Sequence, residues 1–156
     1  MTENEKKIKV ITTNRKAFHE YHISDKYEAG ISLVGTEVKS LRLGKVQMTD
    51  AYVTFENDEA FLVNLHISQY EMTHYDNHDP IRKRRLLLNK KEIRKLVRAT
   101  QEKGFTVVPL KIYFSGPYAK VEIGLARGKR QYDKRQSIAK READRDMARK
   151  IREHNK

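Results

Sequence analysis

Apolar residues alternate with polar ones along most of the first two thirds of the chain, a period typical of half-buried strands. Turn-forming residues separate the alternating stretches, and Asn57-Asp58 in particular predicts a tight hairpin. The predicted strands cover residues 21–43, 51–55, 60–67, 105–114 and 120–126. Residues 68–80 are polar and rich in turn formers, so we expect a loop there.

The first of these strands is interrupted by Gly30 and Gly35, and it ends at Gly44. Glycines within a strand pattern usually mark a bulge or a sharp bend. A long bent strand is what a small closed barrel needs in order to turn its corner. Pro109 lies inside the fourth strand, where its missing N–H indicates an edge or a bulge.

One segment follows a helical period instead. Its apolar residues are spaced at i, i+3, i+4 and i+7, namely Ile93, Leu96, Val97 and Thr100. Asn89 and Glu92 form a capping-box pattern before it and Gly104 ends it, so we predict a helix over 90–103. A shorter helix is predicted over residues 15–20, after the cap-forming oxygens of residues 12–14.

These elements predict a mainly β protein with helices. A closed β-barrel of the oligonucleotide-binding type, with flanking helices and a basic C-terminal tail, fits them better than a sandwich, because a helix lies between strands. We divide the chain into a flexible arm (1–12), which includes a possible edge strand, the barrel domain (13–128) and the tail (129–156).

Charge sets the tail apart from the rest of the chain. The formal net charge is +12, and residues 127–156 hold 12 Lys and Arg against 5 Asp and Glu, a net of +7. Such a segment buries too little apolar surface to offset the entropy of its own ordering. We therefore expect a tail that is disordered when free and helical when it binds a polyanion.

Composition and motifs argue against several functions. Cysteine is absent, the six histidines lack metal-ligand spacing, and no G-x-S-x-G, P-loop or G-x-G-x-x-G motif occurs, so we predict no catalytic residues, no metal and no cofactor. The N-terminal residues lack the apolar run of a secretory signal, and no run is long enough to cross a membrane. A cytoplasmic protein is expected.

Two basic clusters, at 82–85 and 127–135, favour a nucleic acid as the polyanion. A charge run is often only a solvated face, but the second cluster is interleaved with Gly128 and Tyr132. Single-stranded or irregular RNA is bound by such mixtures, because cations contact phosphates while aromatic rings stack on bases.

Several ordered motifs resemble those of the small protein B (SsrA-binding protein) family of bacterial trans-translation. The motifs are NRK at 14–16, HEY at 19–21, YEAG at 27–30, GTEVKSLR at 35–42, DAY at 50–52, RLLLN at 85–89 and GLARGKRQYDKR at 124–135. The resemblance covers about residues 12–156. It implies a barrel that binds the tRNA-like domain of transfer-messenger RNA, and a tail that becomes helical in the vacant message channel of a stalled ribosome.

The resemblance also implies site residues. Those matching positions that face the tRNA-like domain are Asn14, Arg15, Lys16, His19, Glu28, Leu87 and Lys120. Those matching the part that meets the ribosomal decoding site are Gly128, Lys129, Arg130, Tyr132, Asp133, Lys134 and Arg135. Leu87 is either an apolar RNA contact or a core residue, and both alternatives stay open.

The partners that the resemblance implies are transfer-messenger RNA, the ribosome at its decoding centre and message channel, and elongation factor Tu on the aminoacylated RNA. A monomer that makes and breaks no bond is expected. The alternative is a ribosomal protein or assembly factor that binds ribosomal RNA, which the composition fits equally well. An enzyme acting on RNA is the third class, and it lacks a supporting motif.

Overall fold

The structure is a computed structural model, and it describes residues 7–73, 76–102, 104–129 and 140–150. The strands are β1 (Ile8–Thr13), β2 (Tyr21–Ile31), β3 (Val46–Gln47), β4 (Tyr52–Glu56), β5 (Glu59–Val63), β6 (His66–Ile67), β7 (Arg84–Leu87), β8 (Phe105–Ser115) and β9 (Tyr118–Gly128). The helices are α1 (Arg15–Glu20), α2 (Gly35–Arg42), α3 (Lys90–Thr100) and α4 (140–150). The protein is therefore mainly β with helices, as predicted.

Seven strands form one antiparallel sheet in the order β1-β8-β4-β5-β7-β2-β9. An additional pairing joins β8 to β9, so six of the strands follow one another in a ring of hydrogen-bonded pairs, with β1 outside it. The short β3 and β6 pair separately. Inward-facing side chains of the ring form the core, and Leu62, Leu86, Val107, Val121 and Ile123 are fully or almost fully buried in it.

Several local predictions are confirmed. The β4–β5 hairpin turns at Asn57 and Asp58, both with positive φ, as a tight hairpin of matching twist requires. The β8–β9 register shifts after Pro109, so this proline does lie at a bulge. Glu92 accepts a hydrogen bond from the N–H of Asn89 at the start of α3, which ends three residues earlier than predicted.

The bent-strand prediction is wrong for its second half, because residues 35–42 form α2. Glu37 accepts a hydrogen bond from the N–H of Val34 at 2.9 Å, and Leu41 is buried. Gly44 ends this helix with a φ of +74°, so the glycine marks the predicted boundary of a different element. A carboxylate that accepts a backbone bond in the first turn favours a helix over a strand.

Two other boundaries differ from the prediction. The strand predicted over 60–67 is divided by Asn64, whose positive φ ends β5 and lets His66–Ile67 pair with β3. Residues 8–12, which we assigned to a flexible arm, belong to β1 and pair with β8, which fits the edge strand also allowed there.

Candidate nucleic-acid interface

Three of the predicted site residues lie together on the outer face of the sheet. Gly30 of β2 is paired with Leu87 of β7 on one side and with Lys120 of β9 on the other. Glu28 lies two residues before Gly30 on the same face, and its carboxylate is 3.6 Å from the Lys120 ammonium. We call Glu28, Leu87 and Lys120 the outer row.

A buried tyrosine positions the carboxylate of this row. The hydroxyl of Tyr113, which lies opposite Lys120 in β8, donates a hydrogen bond to Glu28. Burial and then the hydrogen bond to the carboxylate raise the pKa of Tyr113, which keeps the phenol protonated as a donor. Sequence reasoning missed Tyr113 because aromatic residues in strands are core residues by default. The turn between β8 and β9 was the available signal, because it sets the pairing of Tyr113 with Lys120.

The charges around the outer row balance one another. Glu122 lies opposite Glu28, and the Lys111 ammonium is 3.7 Å from the Glu122 carboxylate, so each of the two neighbouring carboxylates has one lysine partner. A balanced surface of this kind gains little from phosphate attraction alone. It suits hydrogen bonding to base or ribose groups, beside an apolar contact.

Leu87 presents an apolar surface beside these charges. It is 55% exposed, so core packing is wrong, and the RNA contact stays a prediction. A Cβ at Gly30 would lie 3.3 Å from the Cβ of Leu87, so the glycine lets the leucine side chain lie close against the sheet. The surface it presents borders a cleft that Glu28 and the β4–β5 turn also line.

The remaining predicted body residues lie on α1 or at its cap. Asn14 is buried: its side-chain oxygen accepts from the Ala17 N–H, and its amide donates to the Pro109 carbonyl at 2.9 Å. These bonds occupy Asn14 within the protein, so Asn14 holds α1 against β8.

Arg15 and Lys16 of α1 are exposed, and the Lys16 ammonium is 3.7 Å from the Asp50 carboxylate. His19 contacts Arg141 of α4 at 3.2 Å.

The tail leaves the body at the end of α1. Gly128 pairs with Tyr21, while the backbone N–H of Lys129 donates to the Glu20 carbonyl at 2.8 Å and its ammonium to the Phe18 carbonyl at 3.3 Å. The other predicted decoding residues fall outside the described residues; they are Arg130, Tyr132, Asp133, Lys134 and Arg135.

The prediction that residues 82–85 form a cationic RNA surface is wrong for Arg84, which has no exposed surface. Arg84 and Arg82 both bond to the buried carboxylate of Glu37, at 2.5 and 2.7 Å. Lys83 and Arg85 face Glu56 and Glu59, at 2.6 and 3.4 Å. Each cation of this cluster therefore has an acidic partner within the body.

Within the described ranges, no three histidine, aspartate or glutamate side chains converge as metal ligands would. No helix among the same residues has the length and apolar character needed to cross a membrane.

The fold and the site together define a small, basic, mainly β protein with an exposed C-terminal helix. Residues 11–153 match the family model described as SmpB protein, and the chain belongs to that family. It is 56% identical over 144 residues to the SsrA-binding protein of Carboxydothermus hydrogenoformans, an alignment that covers 92% of this chain and 97% of the relative. It is 52% identical to the SsrA-binding protein of Microcystis aeruginosa, with 97% and 99% covered.

A solved structure described as "tmRNA-SmpB: a journey to the center of the bacterial ribosome" contains a chain with the same fold. The TM-score is 0.67 at 52% sequence identity, and the match covers 83% of this chain and 94% of that one. The resemblance noted in the sequence is thus confirmed at the level of the family.

Proposed function

We propose that this protein is an adaptor for the rescue of stalled ribosomes, in which it binds the tRNA-like domain of transfer-messenger RNA (tmRNA) and brings it to the vacant A site. The observation that carries the proposal is α4, a helix in which every residue from 140 to 150 is exposed. An isolated helix of this length is marginal in water, so it needs a surface to bind. The printed names of the relatives and the printed description of the tmRNA–SmpB structure support tmRNA and the ribosome as the source of that surface.

The body binds the folded RNA in this proposal. The ring of strand pairings supports a closed barrel of the oligonucleotide-binding type, and the outer row is its RNA contact. The Glu28 carboxylate, oriented by Tyr113, accepts from base or ribose donors, Lys120 meets the neighbouring backbone, and Leu87 covers an exposed base or sugar face.

In this proposal the tail detects whether the message channel of the ribosome is empty. In α4, five Lys and Arg outnumber three Asp and Glu, so the helix is attracted to the ribosomal RNA around an empty message channel. Intact message would occupy the same space and exclude it. Lys129, held to α1 at two points, fixes where this helix leaves the body, and residues 128–135 then meet the decoding site.

The protein acts as a monomer in the cytoplasm, with tmRNA, the ribosome and elongation factor Tu as partners. It forms and breaks no bond, since peptidyl transfer belongs to the ribosome. This role separates it from a ribosomal protein or assembly factor, whose partner is mature or maturing ribosomal RNA.

A pull-down from a bacterial lysate at moderate salt tests the proposal. Sequencing of the bound RNA should show one tRNA-like, alanine-accepting species enriched over bulk tRNA. Stoichiometric recovery with mature ribosomal subunits, without that species, would support the ribosomal-protein alternative and contradict the adaptor.

A further inference from the structure

A cleft opens in the body where two neighbouring strands of the ring share the fewest paired positions. Strands β4 and β8 share a single paired position, Val53 with Val107, whereas β8 pairs with β9 along almost their entire lengths. Helix α1 lies over this join, because Asn14 is bonded to Pro109 of β8. The cleft between α1, β4 and β8 has a volume of about 400 Å³.

The walls of the cleft combine flat rings with small residues. Its lining includes two tyrosines, of which Tyr52 is 39% exposed, and two buried alanines that leave room between them; these four are Tyr21, Tyr52, Ala17 and Ala51. A volume of this size fits a small planar ligand. Aromatic side chains beside such a space are what proteins use to stack unpaired bases.

The rim selects the kind of ligand. Asp50 and Glu20 line the cleft together with Lys16, so carboxylates outnumber cations there. The 3.7 Å contact from Lys16 to Asp50 joins two well-exposed side chains, and water screens such a pair, so a ligand can replace it at little cost. A phosphate is disfavoured at this rim, whereas a base edge that presents adjacent N–H donors can bond to a carboxylate at two points.

We propose that this cleft binds one unpaired guanine base, stacked against Tyr52 and bonded through its N1–H and N2–H₂ edge to the Asp50 carboxylate. The inference rests on the proposed function and extends it, since the base comes either from tmRNA or from ribosomal RNA. It adds a base-reading site between α1 and the start of β4 to the outer row on β2, β7 and β9.

Affinity measurements with matched variants test the stacking. Tyr52→Ala should weaken binding of the full-length protein about 5- to 100-fold, the range for loss of one base–aromatic stack, while Tyr52→Phe stays within about twofold. The salt dependence of binding should not change, because no phosphate contact is lost.

The assay is run in two arms, with isolated tmRNA and with stalled ribosomes loaded with tmRNA. If Tyr52→Ala binds isolated tmRNA more weakly than wild type does, the base belongs to tmRNA. If its binding is weakened only with loaded ribosomes, the base belongs to ribosomal RNA. If Tyr52→Ala binds like wild type in both arms, or if Tyr52→Phe loses as much as Tyr52→Ala, the proposal is overturned. A wild-type protein without preference for tmRNA would overturn the proposed function instead, and the ribosome arm would still decide about the cleft.

The carboxylate is tested separately. Asp50→Asn should cost about tenfold in the arm that responds to Tyr52→Ala, because the side-chain amide N–H₂ replaces one acceptor with a donor. Replacing the unpaired guanines of the RNA with inosine, which lacks the N2 amino group, should cause a similar loss for wild type and none for Asp50→Asn. Equal losses for both proteins would overturn the guanine assignment.

Discussion

Glu37 is a buried charge on which two arginines of a later strand segment converge. Its side chain has no exposed surface, and it bonds to Arg82, Arg84 and the Val34 N–H. Burial alone would raise the pKa of Glu37, but the hydrogen bonds from Arg82 and Val34 and the charge of Arg84 outweigh it, so the pKa is lowered. The carboxylate therefore ties α2 to β7, the strand that carries Leu87.

Glu37→Gln should destabilise the protein by about 3–5 kcal/mol, because Arg84 would remain buried without a counter-charge. Urea unfolding monitored by circular dichroism measures this change. Glu59→Gln is the matched control: its partner Arg85 is exposed, so about 1 kcal/mol or less is expected. Equal losses in the two variants would contradict the assigned role of the buried pair.

The same group makes stability depend on pH. The folded-state pKa of Glu37 lies below its ordinary value of 4.5, so its contribution is complete above that value and is lost as the pH falls through the folded pKa. The difference in free energy of unfolding between wild type and Glu37→Gln should therefore shrink below about pH 4.5. A difference that stays constant from pH 7 to pH 3 would refute this linkage.

At the scale of elements, the sequence correctly predicted those turns and helices that depend only on neighbouring residues. The Asn57-Asp58 turn, the short helix after Asn14 and the capped helix α3 depend on neighbouring residues, and all three are present. Helix α2 was missed because its decisive residue, Glu37, is buried by arginines more than forty positions away. The buried face of α2 contains a charged residue, so its sequence lacks the apolar spacing by which a helix is recognised.

The candidate site likewise combines features that local sequence predicts with features that depend on distant residues. Family motifs pointed to Glu28, Leu87 and Lys120, but only the strand register places all three around Gly30. The exposure of Leu87, the role of Tyr113 and the burial of Arg84 each depend on which strands become neighbours. A period of two along one strand cannot supply that information, since it gives the face but not the partner.

A glycine in β9 allows close packing against side chains of β2 and β8, and this packing can be tested by substitution. A Cβ added at Gly124 would lie 2.8 Å from both Ile23 and Leu110, so Gly124→Ala should cost about 1–3 kcal/mol in free energy of unfolding. Gly128→Ala is the control, because nothing lies within 4 Å of its added Cβ, and a change below about 0.5 kcal/mol is expected. Thermal or urea unfolding that ranks the two variants in the opposite order would contradict the packing described.

At the scale of the whole molecule, the proposed function assigns tmRNA affinity and ribosome sensing to separate segments of the chain. Truncation after Gly128 should leave tmRNA affinity at moderate salt within about threefold of wild type, because the contacts of the outer row remain. The same truncation should abolish rescue in a reconstituted translation assay. Loss of tmRNA binding on truncation would contradict the division.

Helicity of the tail can be tested without removing its charge. Ala143→Pro lies within α4 and should cost about 3 kcal/mol of helix stability, so rescue should fall sharply while tmRNA binding is kept. Ala143→Ser, a mild change at the same position, should rescue nearly as well as wild type. Full rescue by the proline variant would show that the helix is dispensable.

The central claim is that the body recognises one folded RNA rather than polyanions in general. Competition binding measures this most directly: labelled tmRNA is held on the protein at moderate salt while unlabelled tmRNA or bulk tRNA is added. We predict that bulk tRNA must be present in large excess, roughly a hundredfold or more, to displace half of the tmRNA, since specific contacts add to the shared electrostatic term. Displacement by both RNAs at the same concentration would contradict the account.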